Sequence, residues 1–176
     1  MTEIRFAPAT IDNATLHMFL HGAAGTGKTK TALELMVGLV GTGKIAFVDT
    51  EGKRSKMYAT QYKFDVVHLE DYDPRVFVRC IAAAVADGYA GIIIDSASHE
   101  WFAGVLPMVD EATKTSSNKN AFTSGWSVLT PLHNSFLVAI VKCPIHIIVT
   151  GRDMMEYAMV TKNGPENSQR KRKPNY

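Results

Sequence analysis

Cysteine is nearly absent: two among 176 residues, Cys80 and Cys143, too far apart for a C-x-x-C pair. That scarcity excludes a disulfide-built scaffold and points to reduced thiols in a cytoplasmic protein. None of the six histidines stands at zinc-site spacing to a cysteine, so no structural metal is expected. A dominant charge is lacking too. Nineteen Lys and Arg against 17 Asp and Glu leave a net +2, which by itself argues for neither nucleic acid nor membrane. No apolar run is long enough to cross a bilayer, the first residues lack a secretory pattern, and no internal repeat is present. What remains is 46% hydrophobic and 20% charged, at a length that suits one domain with a real core.

Against that plain background one segment stands out. Gly22-Ala23-Ala24-Gly25-Thr26-Gly27-Lys28-Thr29 matches G-x-x-x-x-G-K-[ST] in full. Glycines let successive N–H groups turn inward toward an anion, Lys28 brings a positive charge to β- and γ-phosphates, and Thr29 offers a hydroxyl to Mg²⁺. The following helix adds its positive N-terminal end. The context fits. A short apolar strand, Leu16–His21, precedes the motif. Ala32, Leu33, Leu35, Met36, Leu39 and Val40 follow at helical spacing, stopped by Gly41 and Gly43.

Strand and helix patterns then alternate, predicting an α/β fold with a mainly parallel sheet and helices on both faces. Strands are expected at 45–48, 64–69, 91–95 and 145–150. A short helix is expected over Ser55–Tyr62, and another capped by Asp73 with Pro74 at its first position. Further helices are expected over Trp101–Val109 and from about Val128 to Val141. Lys114–Gly125 is polar and reads as a loop, and a hairpin starts near Tyr157 with its turn at Lys162-Asn163-Gly164. Residues 1–166 read as the nucleotide-binding domain and 167–176 as a basic, disordered tail.

A phosphate loop needs a strand acid for Mg²⁺, and Asp95, after three isoleucines, is placed to serve with Thr29. Hydrolysis also needs a group to orient water. The residue after Asp95 is Ser96, so a glutamate there is absent; Glu51, past the second strand, and Glu100 are the candidates, with Glu51 favoured. At the end of the fifth strand, Thr150-Gly151-Arg152 offers a hydroxyl or a guanidinium to sense the γ-phosphate. Arg152 would act in its own site or reach a neighbour's.

These pieces resemble the RecA-like P-loop ATPases, and within them the phage-type group that includes Sak-class single-strand annealing ATPases. The resemblance lies in His21–Thr29, Phe47-Val48-Asp49-Thr50-Glu51-Gly52, Ile92–Ser96, Trp126 with Pro131, and His146–Tyr157, spanning about residues 15 to 160. It implies that Glu51 activates the attacking water. It further implies ATP with Mg²⁺ as cofactors, action on single-stranded DNA in recombination or replication beside other phage proteins, and homo-oligomers with the site at a subunit boundary. Members of the group continue into further strands after the Glu-Tyr segment, where this chain carries its basic stretch.

Two segments have the character of a single-strand binder. Lys114–Gly125 combines two lysines with Phe122 and adjoining Trp126; Arg170–Lys173 is a basic cluster. The bland alternatives are core anchoring for the aromatics and solubility for the cluster; Met154, Met155 and Met159 read as core filling. Two rival functions share the phosphate loop. A small-molecule kinase would want an arginine-rich lid, yet no arginine lies between the fourth and fifth strands. A nucleotide-gated binding module would hold ATP with little turnover. No guanine-recognising N-K-x-D is present, which favours ATP.

Overall fold

The apolar runs of the sequence alternate between two buried faces, and that alternation builds the domain. The structure is a computed structural model and describes residues 14–115, 121–153, 156–161 and 168–173. The first half contains β1 (His17–Gly22), α1 (Lys28–Val40), β2 (Ile45–Asp49), a 3-10 turn (Arg54–Tyr58), β3 (Asp65–His68) and α2 (Pro74–Ala86). The second half contains β4 (Gly91–Asp95), a π-helical stretch (Glu100–Val105) running into α3 (Leu106–Thr115), α4 (Ala121–Val141) and β5 (His146–Arg152). A hairpin of β6 (Glu156–Thr161) and β7 (Ser168–Lys173) follows.

Five strands form a parallel sheet in the order β1-β5-β4-β2-β3. In β4, Ile92 and Ile94 point to one face and Ile93 to the other; in β5, Ile147 and Val149 oppose Ile148. Phe77, Ile81 and Ala84 of α2 and Phe136 of α4 cover the first face, while Ala32, Leu33 and Met36 of α1 cover the second. Each large side chain so buried contributes about 2 kcal/mol. This is the expected α/β architecture, a parallel sheet with helices on both faces. Strands buried on both sides need apolar residues at every position, which is why β4 and β5 read as unbroken runs.

Local signals hold at the start of α2. The Asp73 carboxylate accepts the Arg75 N–H at 2.8 Å, with Pro74 as the first residue of α2. Elsewhere the structure departs from the sequence pattern. The helix expected over 55–62 is only the 3-10 turn, and that expected over 101–109 is the π-helical stretch with α3. The polar loop expected up to Gly125 is shortened, because α4 already begins at Ala121 and carries Pro131 within it. Gly125 is a packing residue: a Cβ there would stand 3.0 Å from the Val109 carbonyl oxygen of α3. Ser168–Lys173, read as tail, forms β7, with Glu156 opposite Lys173 and Thr161 opposite Ser168. The expected turn at Lys162-Asn163-Gly164 lies outside the described residues, as do Met154 and Met155. No helix among the described residues is long and apolar enough to cross a membrane.

Candidate nucleotide site

The chain leaves β1 at Gly22 and enters α1 at Lys28, and the bend between is made by glycines. Gly25 and Gly27 take φ of 80° and 88°, the left-handed region that side chains disfavour. Gly27 caps α1 with no side-chain hydrogen bond, so the first N–H groups of α1 face the bend. Thr26 closes the bend by donating its hydroxyl to the Ala23 carbonyl at 2.9 Å. Lys28 reaches back over it, its Nζ donating to the carbonyls of Gly22 (2.7 Å) and Ala23 (2.9 Å).

Asp95 stands at the end of β4, two strands from β1, with β5 between. It bridges that gap with both oxygens. Oδ2 accepts the Thr29 hydroxyl and Oδ1 accepts the Thr150 hydroxyl, each at 2.5 Å. The hydroxyl of Thr150 thus serves the strand acid, and among the expected sensors it is Arg152 that faces the cleft. The Asp95–Ser96 peptide is cis.

Glu51 lies just beyond β2. Its Oε1 accepts the Ser96 hydroxyl at 3.3 Å, and its Oε2 accepts from the Arg152 guanidinium, with Arg54 Nη1 at 3.8 Å. The Arg152 N–H is itself fixed by the Ser98 hydroxyl at 2.7 Å. Gly25, Gly27, Lys28, Thr29, Glu51, Asp95 and Arg152 therefore line one cleft of about 240 Å³. Its outer wall is Arg54, Met57 and Tyr58, which the sequence pattern did not single out. The signal was a tyrosine in the turn after Glu51, a flat apolar face next to a phosphate cradle.

Glu100 stands apart. It is 1% exposed, and both carboxylate oxygens accept from His133 Nδ1, at 3.0 and 3.1 Å. It lines a separate, mostly apolar cavity of about 600 Å³ with Trp101, Phe102 and Phe136. Burial pushes its carboxyl above the ordinary carboxylate range, and the His133 hydrogen bond pulls partly the other way. Trp126, weighed as a stacking platform, packs instead against Val105, Val109, Leu129 and the Trp101 ring, 5.8 Å away between centroids. The side chain of Phe122 lies outside the described residues, and Arg170–Lys173 falls on β7.

The donor set suits a magnesium nucleotide. Thr29 and Asp95 present hard oxygens side by side, and a Cβ on Gly22 would press to 3.1 Å from the Thr26 hydroxyl, narrowing the cradle. A family model described as an AAA domain matches residues 14–173. Among curated proteins none matches the chain. A solved structure described as the crystal structure of the RadB recombinase is similar at TM-score 0.41 and 20% identity, covering 78% of this chain and 62% of that one.

Proposed function

The chain belongs to the AAA domain family, and from that premise we propose that it is a Mg²⁺-dependent ATPase acting on single-stranded DNA in phage or prophage recombination or replication, as a cytoplasmic homo-oligomer. The observation that carries the catalytic part is the convergence of Lys28, Thr29, Asp95, Glu51 and Arg152 on one cleft. In this reading the backbone of Gly22–Thr29 cradles the phosphates and Lys28 exchanges the Gly22 and Ala23 carbonyls for phosphate oxygens. Thr29 and Asp95 would hold Mg²⁺, which when bound neutralises charge on the β- and γ-phosphates. Glu51 orients the attacking water and takes its proton. Arg152 reads the γ-phosphate, and the Tyr58 and Met57 side chains offer an apolar wall to the base. The pairing of Arg152 with Glu51 of its own chain favours action within one subunit.

The basic run Arg170–Lys173 on β7 is the segment of choice for the DNA backbone, since phosphate contacts supply most sequence-independent affinity. The test is phosphate release measured without nucleic acid and with single-stranded DNA, double-stranded DNA or RNA. Single-stranded DNA should raise turnover most, and Lys28→Ala should abolish it. Release that persists in Lys28→Ala would overturn the catalytic reading; indifference to every nucleic acid would overturn the DNA reading alone. Phosphoryl transfer to nucleosides or nucleotides would replace both by a kinase.

A further inference from the structure

The turn that carries Glu51 is wound around one buried carboxylate that has no part in the mechanism above. Asp49 ends β2 and is 2% exposed. Its Oδ1 accepts the Glu51 N–H at 2.8 Å. Its Oδ2 accepts the Ser55 N–H at 3.0 Å and the Ser55 hydroxyl at 2.5 Å. Between those two anchor points Gly52 and Lys53 both sit at left-handed φ, 70° and 69°. A lysine there is strained, so the turn does not hold itself by local preference. Three donors from two residues, Glu51 and Ser55, converge on Asp49 instead. The peptide that leads into the turn is pinned as well, the Thr50 N–H donating to the Asp95 carbonyl (2.9 Å) and the Asp49 carbonyl accepting the Leu69 N–H (3.0 Å).

We propose that Asp49 is the positioning residue for Glu51, shaping the Glu51–Ser55 turn so that the Glu51 carboxylate faces Ser96 and Arg152 at the phosphate end of the cleft. The inference rests on reading Glu51 as the water-orienting group. Asp49 does not itself line the cleft, and neither the Gly22–Thr29 loop nor Asp95 donates a hydrogen bond to its side chain. Turnover and nucleotide affinity should therefore separate when it is changed.

Asp49→Asn keeps an oxygen for the Glu51 N–H but turns an amide NH₂ toward the two Ser55 donors. Turnover should fall by about 10- to 100-fold, the effect of a small misplacement of a reacting group, while the affinity for a non-hydrolysable ATP analogue does not fall. The decisive comparison is on a Glu51→Gln background, where Asp49→Asn should add nothing further. Ser55→Ala, a milder change to the same turn, should move turnover in the same direction and stands in if Asp49→Asn does not fold. Unchanged turnover in both variants would sink the role of Asp49 alone, as would a further loss on the Glu51→Gln background. Full turnover in Glu51→Gln by itself would remove the reading beneath it, and the inference with it.

Discussion

Changing Glu51 to glutamine should move two quantities in opposite directions. The substitution keeps shape and removes charge. Without a carboxylate to take a proton from water, turnover should fall by about 100- to 10,000-fold, the usual contribution of a positioned base. The same carboxylate, 11% exposed in its side chain, holds the Arg152 guanidinium, 36% exposed. A pair at that exposure is worth about 1 kcal/mol. In the unsubstituted protein Arg152 must give up that pairing to reach a γ-phosphate. In Glu51→Gln it is already released, so an ATP analogue should bind about fivefold more tightly, the equivalent of that 1 kcal/mol. ADP offers no γ-phosphate, and its affinity should stay where it was. Phosphate release gives the first quantity, and calorimetric titration with the analogue gives the second, with ADP as the control. Turnover comparable to the unsubstituted protein would refute the assignment of Glu51. Weaker binding of the analogue would refute the idea that Glu51 and the γ-phosphate compete for Arg152.

Two further outcomes follow from packing and burial. Folded Glu100 holds its proton more tightly than the unfolded chain does. Its contribution to stability is therefore fully present below its ordinary value of 4.5 and is lost as pH rises through its raised value. Urea unfolding across that range should show Glu100→Gln gaining on the unsubstituted protein as pH increases; a parallel pair of curves would contradict this. Gly104→Ala would put a Cβ 2.1 Å from the Tyr72 backbone oxygen, and Gly91→Ala would put one 2.2 Å from the flexible Met36 sulfur. Overpacking costs about 1–3 kcal/mol, with the backbone clash at the upper end, so thermal melts should fall further for Gly104→Ala, by about 2–4 °C per kcal/mol. The reverse order would show that the chain around Tyr72 yields more readily than Met36.

The phosphate loop was legible because its chemistry demands fixed spacing: the bend, Lys28 and Thr29 sit within eight consecutive positions. β4 and β5 were legible because burial on both faces demands unbroken apolar runs. Asp73-Pro74 announced α2 for an equally local reason. The start of α4 was not legible. Gly125 reads as a breaker by propensity, but its missing side chain is what lets α4 lie against α3, and tertiary contact outweighs local preference. β7 was hidden because main-chain pairing with β6 needs no apolar alternation. Around the cleft, Glu51, Asp95 and Arg152 could be nominated from strand ends. That Thr150 bonds to Asp95 depends on a distance across the sheet, and that Asp49 gathers Ser55 depends on the winding of the turn between them; no linear pattern encodes either.

β5 separates the strand that opens into the Gly22–Thr29 loop from the strand that ends in Asp95, and it is laddered to both. Cradle and acid can thus be re-spaced only by shifting the strand wedged between them. That strand ends in Arg152, and the hairpin bearing the basic run begins a few residues later. A shift of β5 along its axis would be felt at both ladders together, so this one strand sets the width of the cleft.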